Sequence, residues 1–111
     1  MDAELKAKWV KALRSGEFVQ GRYALRQTVE NEHRYCCLGV LCNLMGAKWQ
    51  EGFYTAPIVD GTRLSQERAE YLSDTTLQKI GLAPNKQADV AYMNDTRKSF
   101  SEIADYIEAN L

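Results

Sequence analysis

Leu5, Trp9, Val10 and Leu13 recur at helical spacing, with Lys6, Lys8 and Lys11 between them. That stripe predicts an amphipathic helix over residues 2–15, with the apolar face inward. Gly16 is its expected stop, because glycine takes the left-handed conformation without a Cβ clash. The pattern then turns β-like. Residues 22–29 predict a strand with Tyr23, Leu25 and Gln27 on one face, "ENEH" a turn, and "RYC" a short returning strand. Residues 36–45, "CCLGVLCNLM", are apolar nearly all round and stop at Gly46. A helix without a polar face belongs at the centre of a domain.

The second half is less regular. "FYTAPIVDGTRL" predicts a second hairpin, since Asp60-Gly61 is a strong tight-turn signal, with Pro57 keeping its strand at an edge. "SQERAEYLSDTTLQKIGL" contains one or two short helices. The second of them is N-capped by Asp74 and stopped by Gly81, with Leu82 folding back on Leu77. "APNKQAD" reads as loop, and "VAYMND" leads to a last helix opened by a Ser99/Glu102 capping box. The expected fold is a small single α+β domain over residues 1–111. It is helix-dominated, with one or two short β-hairpins around a buried central helix.

Composition narrows the function classes. The chain has 111 residues, 45% hydrophobic and 26% charged, an ordinary globular balance. Net charge is -1, which gives no global case for nucleic acid or an anionic membrane. Residues 1–34 carry 7 basic and 5 acidic side chains and the remainder 7 and 10, so a basic face would lie in the N-terminal part. No apolar run approaches the ~20 residues of a membrane helix, and the N-terminus lacks the core of a signal peptide. Three cysteines, two of them adjacent, point to a reducing cytoplasm rather than a disulfide framework.

All three cysteines lie in "RYCCLGVLC", close to the only histidine, His33. Zinc usually takes four ligands, commonly from C-x2-4-C pairs. On one helix Cys37 and Cys42 would point about 140° apart, so no metal is expected. A nucleophilic reading rests on Cys36 and Cys37 at a helix start near His33 and Arg34. The commoner state is a buried cysteine acting as a small hydrophobe. Gly39 fits packing too, since glycine inside a helix suits close approach of another backbone. No catalytic residue and no cofactor are expected.

"KWVKALRSGEFVQG", "ALR", "YCCLGVLC" and "MND…SFSEIADYIEANL" together resemble a family of small proteins of bacteriophages and prophages. The resemblance spans nearly the whole chain, with a variable middle around residues 47–88. It implies origin in a phage or mobile element and action in the bacterial host cytoplasm. The family pattern usually has glycine near the "ND" turn, where this chain has Thr96-Arg97-Lys98. By analogy with phage accessory proteins, the expected role is non-catalytic binding that disables a bacterial defence component. The target would be a CRISPR effector, another host protein or a nucleotide immune signal.

The polar residues inside the shared blocks are the candidate ligand contacts: Arg14, Gln20, Arg22, Arg26, Arg34, Asn94 and Asp95. Arginine holds phosphate or carboxylate through two hydrogen bonds. If Arg22, Arg26 and Arg34 share the hairpin, they line a phosphate face with Tyr23 or Tyr35 stacking on a base. The alternative is arginine on a solvated strand, paired with Glu30 or Glu32. Asn94-Asp95 reads as a turn and helix-start device, or as a polar contact at a binding surface. Three further classes stay open. "SFSEIADYI" resembles the first helix of a helix-turn-helix, but no recognition helix follows it and the charge is wrong for a DNA reader. A cysteine enzyme is the second. The third is an assembly factor using Trp49, Phe53 and Tyr54 as a partner patch. Homodimerisation is open.

Overall fold

The computed structural model describes residues 1–50 and 56–111. Helix α1 (Ala3–Arg14) is followed by strands β1 (Val19–Gln20), β2 (Arg26–Val29) and β3 (Glu32–Tyr35), then helix α2 (Cys37–Leu44). Strands β4 (Lys48–Trp49), β5 (Pro57–Val59) and β6 (Thr62–Arg63) come next. Helices α3 (Asp74–Ile80), α4 (Pro84–Asp95) and α5 (Phe100–Asn110) complete the fold. The class is α+β, as the patterning predicts.

Helix α2 is the centre. Cys37, Leu38, Gly39, Val40, Leu41 and Cys42 are all buried along it. Trp9 and Leu13 of α1, Val90 of α4, and Ile103 and Ile107 of α5 belong to the same core. Removing such side chains from water, at about 25 cal/mol per Å² of apolar surface, drives the packing. The Trp9 indole N–H donates to the Cys37 carbonyl at 2.9 Å, so the largest core side chain buries no unpaired polar group. A Cβ on Gly39 would stand 1.8 Å from the Leu25 carbonyl oxygen. Glycine is required there by close backbone approach.

The first sheet has the order β1-β3-β2, with β1 parallel and β2 antiparallel to β3. Its hairpin turns through Glu30 (φ 50°) and Asn31 (φ 65°), two left-handed residues in the manner of a type I′ turn. The predicted strand over 22–29 is cut to 26–29, because Tyr23 takes φ 67° and breaks the extended run. Leu25 is buried and Tyr23 faces outward, so the two do not share a face. The second sheet has the order β4-β5-β6, with Asp60-Gly61 as its tight turn. Pro57 is therefore on the central strand, not at an edge. It is tolerated as the first residue of β5, where a missing N–H costs the ladder least.

Two helix starts also differ from expectation. Ser73, not Asp74, caps α3, its hydroxyl accepting from the Thr76 N–H at 3.2 Å. Asp74 instead sits in the first turn, where its charge suits the helix dipole. The Leu82 N–H does reach the Leu77 carbonyl at 3.0 Å past a left-handed Gly81. The stretch "APNKQAD" is not loop. It opens α4, with Pro84 at the first helical position. Helix α5 starts on its capping box, with Ser99 and Glu102 exchanging bonds of 3.1 Å. In the turn before it, Arg97 takes φ 73°, the conformation that glycine adopts without strain.

Candidate functional site

The C-terminal end of α4 carries Asn94 and Asp95, and these do not form a turn. Asn94 is a helical residue with no solvent exposure. Its Oδ1 accepts from the Cys37 backbone N–H at 3.2 Å and from Gln20 Nε2 at 3.0 Å. Its Nδ2 donates to the Gly21 carbonyl at 2.8 Å. Gln20 Nε2 also donates to the Lys98 carbonyl at 2.8 Å. One buried amide thus ties the β1 segment, the start of α2 and the α4–α5 turn together. Cys36 is the N-cap of α2 and its side chain makes no capping bond, so Asn94 supplies the missing acceptor from across the core.

Two turns earlier on the same helix, Gln87 makes a similar clamp. Its Oε1 accepts from the Leu72 N–H at 2.8 Å and its Nε2 donates to the Leu72 carbonyl at 3.4 Å. The two amides fix two loops along one face of α4. Asp95 Oδ1 accepts from the Tyr23 N–H at 3.1 Å and holds the left-handed turn there. The Leu25 N–H donates to the Ala69 carbonyl at 3.0 Å, joining the loops to each other.

Between them lies a cleft lined by Tyr23, Ala24, Cys36, Glu70, Tyr71, Ala91 and Asp95, of about 30 Å³. Tyr23 is 63% exposed and Tyr71 36%. Glu70 and Asp95 are half-buried, and neither has an ion-pair partner among the described residues. The cleft is polar at its rim, apolar at its floor and negative.

The arginines do not converge. Arg14 does not line the cleft and is bonded to Asp105 at 2.7 Å and Glu108 at 3.2 Å of α5. Donating hydrogen bonds to Glu108 first, and to Asp105 second, raises its pKa above the usual arginine value. Arg26 stands opposite Tyr35 and Arg34 opposite Gln27. Side chains alternate along a strand, so these two arginines point to opposite faces of the hairpin. Arg26 lies 5.1 Å from the Trp49 ring centroid, and Arg34 bonds Glu32 at 2.9 Å. The Nε atoms of Arg22 and Arg26 are buried without a hydrogen-bond partner. Gln20, Asn94 and Asp95 are the predicted residues that the fold does gather.

Chemistry at the thiols is disfavoured. Cys36, Cys37 and Cys42 are buried and unpaired. Burial pushes the Cys36 thiol up to about 12, with the charge of Asp95 adding to it. Burial likewise holds Cys37 and Cys42 well above the ordinary thiol value. A nucleophile needs the thiolate. His33 is exposed on β3, with its Nδ1 paired with the Thr28 hydroxyl at 2.9 Å, while the three thiols are buried in the core. Among the described residues no group of three or more His, Cys, Asp or Glu is placed to hold a metal ion. No described helix is long and apolar enough to cross a membrane.

Trp49 is half-buried against Tyr35, with rings 5.8 Å apart edge to face, as outer core. Phe53 and Tyr54 of the expected patch lie outside the described residues. Helix α5 buries Ile103, Ala104 and Ile107, and presents Glu102, Asp105 and Glu108 outward, the wrong sign for a phosphate backbone.

Sequence reading missed Tyr71, Glu70 and Gln87. A signal for Gln87 was present: Gln87, Val90, Ala91 and Asn94 keep the 3-4-7 spacing of one helical face once amides are admitted to it.

Residues 1–72 match the family model described as "Domain of unknown function (DUF8296)", and the chain belongs to that family. Tyr23, Ala24, Cys36, Glu70 and Tyr71 of the cleft fall in the matched segment, while Ala91 and Asp95 lie beyond it. No curated protein and no solved structure matches the chain.

Proposed function

We propose that this chain is a non-catalytic binding domain of phage type, acting in the bacterial cytoplasm by occupying a host or defence protein. The observation that carries the reading is the cleft beside Tyr23 and Tyr71. Two exposed tyrosines stand over unpaired carboxylates on loops that two buried amides hold rigid. Tyrosine offers large contact area at low conformational cost, which is why it is enriched at protein interfaces. Protonated, buried thiols supply no competing chemistry.

The test is a pull-down of tagged protein from bacterial lysate, with the Tyr23→Ala/Tyr71→Ala double variant beside it. A stoichiometric protein captured by the native chain and lost by the double variant supports the reading. Equal capture by both, or no capture at all, overturns it. A second reading, sequestration of a nucleotide signal, is favoured by one observation, the unpartnered Nε atoms of Arg22 and Arg26. A nucleotide co-purifying with native protein, and lost in Arg22→Ala/Arg26→Ala, would establish that instead.

A further inference from the structure

We infer that the cleft between Tyr23, Glu70, Tyr71 and Asp95 is a receptor for one lysine ammonium group of a protein partner. The inference rests on the binding role proposed above and names the chemistry that the site takes. Charge comes first. Glu70 and Asp95 line the same small cavity, half-buried and without ion pairs among the described residues. Asp95 spends Oδ1 on the Tyr23 N–H, which leaves Oδ2 for a ligand. Cations are attracted by tyrosine rings as well as by carboxylates, and Tyr23 and Tyr71 line the same space.

Size selects among cations. A volume of about 30 Å³ admits roughly two water-sized groups. Lysine ends in a compact ammonium of that size, whereas arginine ends in a broad planar fork. At that volume only the ammonium end enters, and the methylene stem trails outward past the rim, where the exposed Tyr23 and Tyr71 offer it apolar ring surface. The walls are also preorganised. Asn94 and Gln87 hold the loops that carry Tyr23 and Tyr71, so little ordering remains to oppose binding. An acidic protein surface patch or a phosphate group fails on sign.

The probe is Nα-acetyl-lysine methylamide, titrated into the full chain and followed by amide NMR shifts. The expected result is saturable shifts at Tyr23, Glu70, Tyr71 and Asp95, with a dissociation constant on the order of 1–10 mM for so small a ligand. The Nε-acetylated analogue, which lacks the charge, should give none. The matching arginine amide should bind at least about threefold more weakly. Glu70→Gln should weaken lysine binding about threefold to fivefold, while Glu108→Gln, which does not line the cleft, leaves it unchanged. Non-saturable shifts, equal shifts with the neutral analogue, or full affinity in Glu70→Gln would overturn the assignment. The pull-down reads separately. A captured partner without lysine shifts sinks the receptor alone. Lysine shifts at these residues with no captured partner support the site and sink the wider role.

Discussion

The two faces of the molecule treat the same kinds of charge in opposite ways. Across α1 and α5, Arg14 draws Asp105 and Glu108 into an exposed network of ordinary ion pairs. Across α4 and the 22–24 and 70–71 segments, Glu70 and Asp95 sit deeper and are left without cations among the described residues. On the first face, polar contacts are on the outside of a hydrophobic helix pair. On the second, they run underneath, through buried Asn94 and Gln87. Exposed pairs contribute little to stability and buried hydrogen-bonded groups much more, since an unsatisfied buried partner retains its full desolvation cost. The cleft face is thus the one whose framework is polar, rigid and costly to disturb, while its rim is electrostatically unfinished.

The sharpest way to break that contrast is Asn94→Ala. It strands the Cys37 N–H and the Gly21 carbonyl in the core and leaves Gln20 only its bond to the Lys98 carbonyl. The expected loss is about 3 kcal/mol of unfolding free energy, read as a lowered urea midpoint at unchanged slope. A loss under about 1 kcal/mol would mean the hub is not the brace described. Gln87→Ala acts at the other clamp and strands only the backbone groups of Leu72. A loss of about 2 kcal/mol is expected, with amide exchange accelerating around residues 70–72 before the rest.

Alkaline pH probes the same interior without mutation. Burial raises the Cys36 thiol from 9.0 to about 12 in the folded chain. The folded state therefore favours the neutral thiol, and the sign follows. Its contribution is complete below about pH 9, and is lost progressively as pH rises from 9 towards 12. At pH 9.5 Cys36 alone should cost about 1 kcal/mol, and Cys37 and Cys42 act in the same direction. The measurement is urea midpoint against pH, expected to be flat from 7 to 8.5 and falling above 9. A midpoint that stays level to pH 10.5 would contradict the burial of the thiols.

What the sequence made legible, and what it hid, follows the same division. The apolar helices α1 and α2, the Gly81 stop and the Ser99 capping box were readable, because each is written in local periodicity or in one side chain bonding its own backbone. Gly39 was readable as close packing, although not that Leu25 is the neighbour. Helix α4 was hidden, since its inward face uses Gln87 and Asn94 where a hydrophobic pattern looks for leucine. The cleft was hidden with it. Tyr23 and Tyr71 are far apart in the chain, and their loops meet through α4 and the Leu25–Ala69 backbone bond. Asn94 and Asp95 stand out in the sequence but read as a local turn, because their partners at Gly21, Cys37 and Tyr23 are more than 50 residues away. The absence of a capping side chain before an all-apolar helix was the one clue that a distant acceptor had to exist.

The smallest expected effect lies at the α1–α5 seam. Arg14→Ala removes both contacts to α5, yet the guanidinium and both carboxylates are well exposed, with 37%, 69% and 62% of their side-chain surfaces accessible. Water replaces such bonds nearly in full, and salt screens what attraction remains. Helices α1 and α5 are held by Trp9, Val10, Leu13, Ile103 and Ile107, which the substitution leaves in place. The urea midpoint should therefore move less than for either amide variant, and the difference from native protein should vanish in 1 M salt. Partner capture and lysine binding should be unchanged, because Arg14 does not line the cleft. A large, salt-resistant loss would mean that this arginine braces the core after all, and the division between a finished face and an open one would fail at its simplest point.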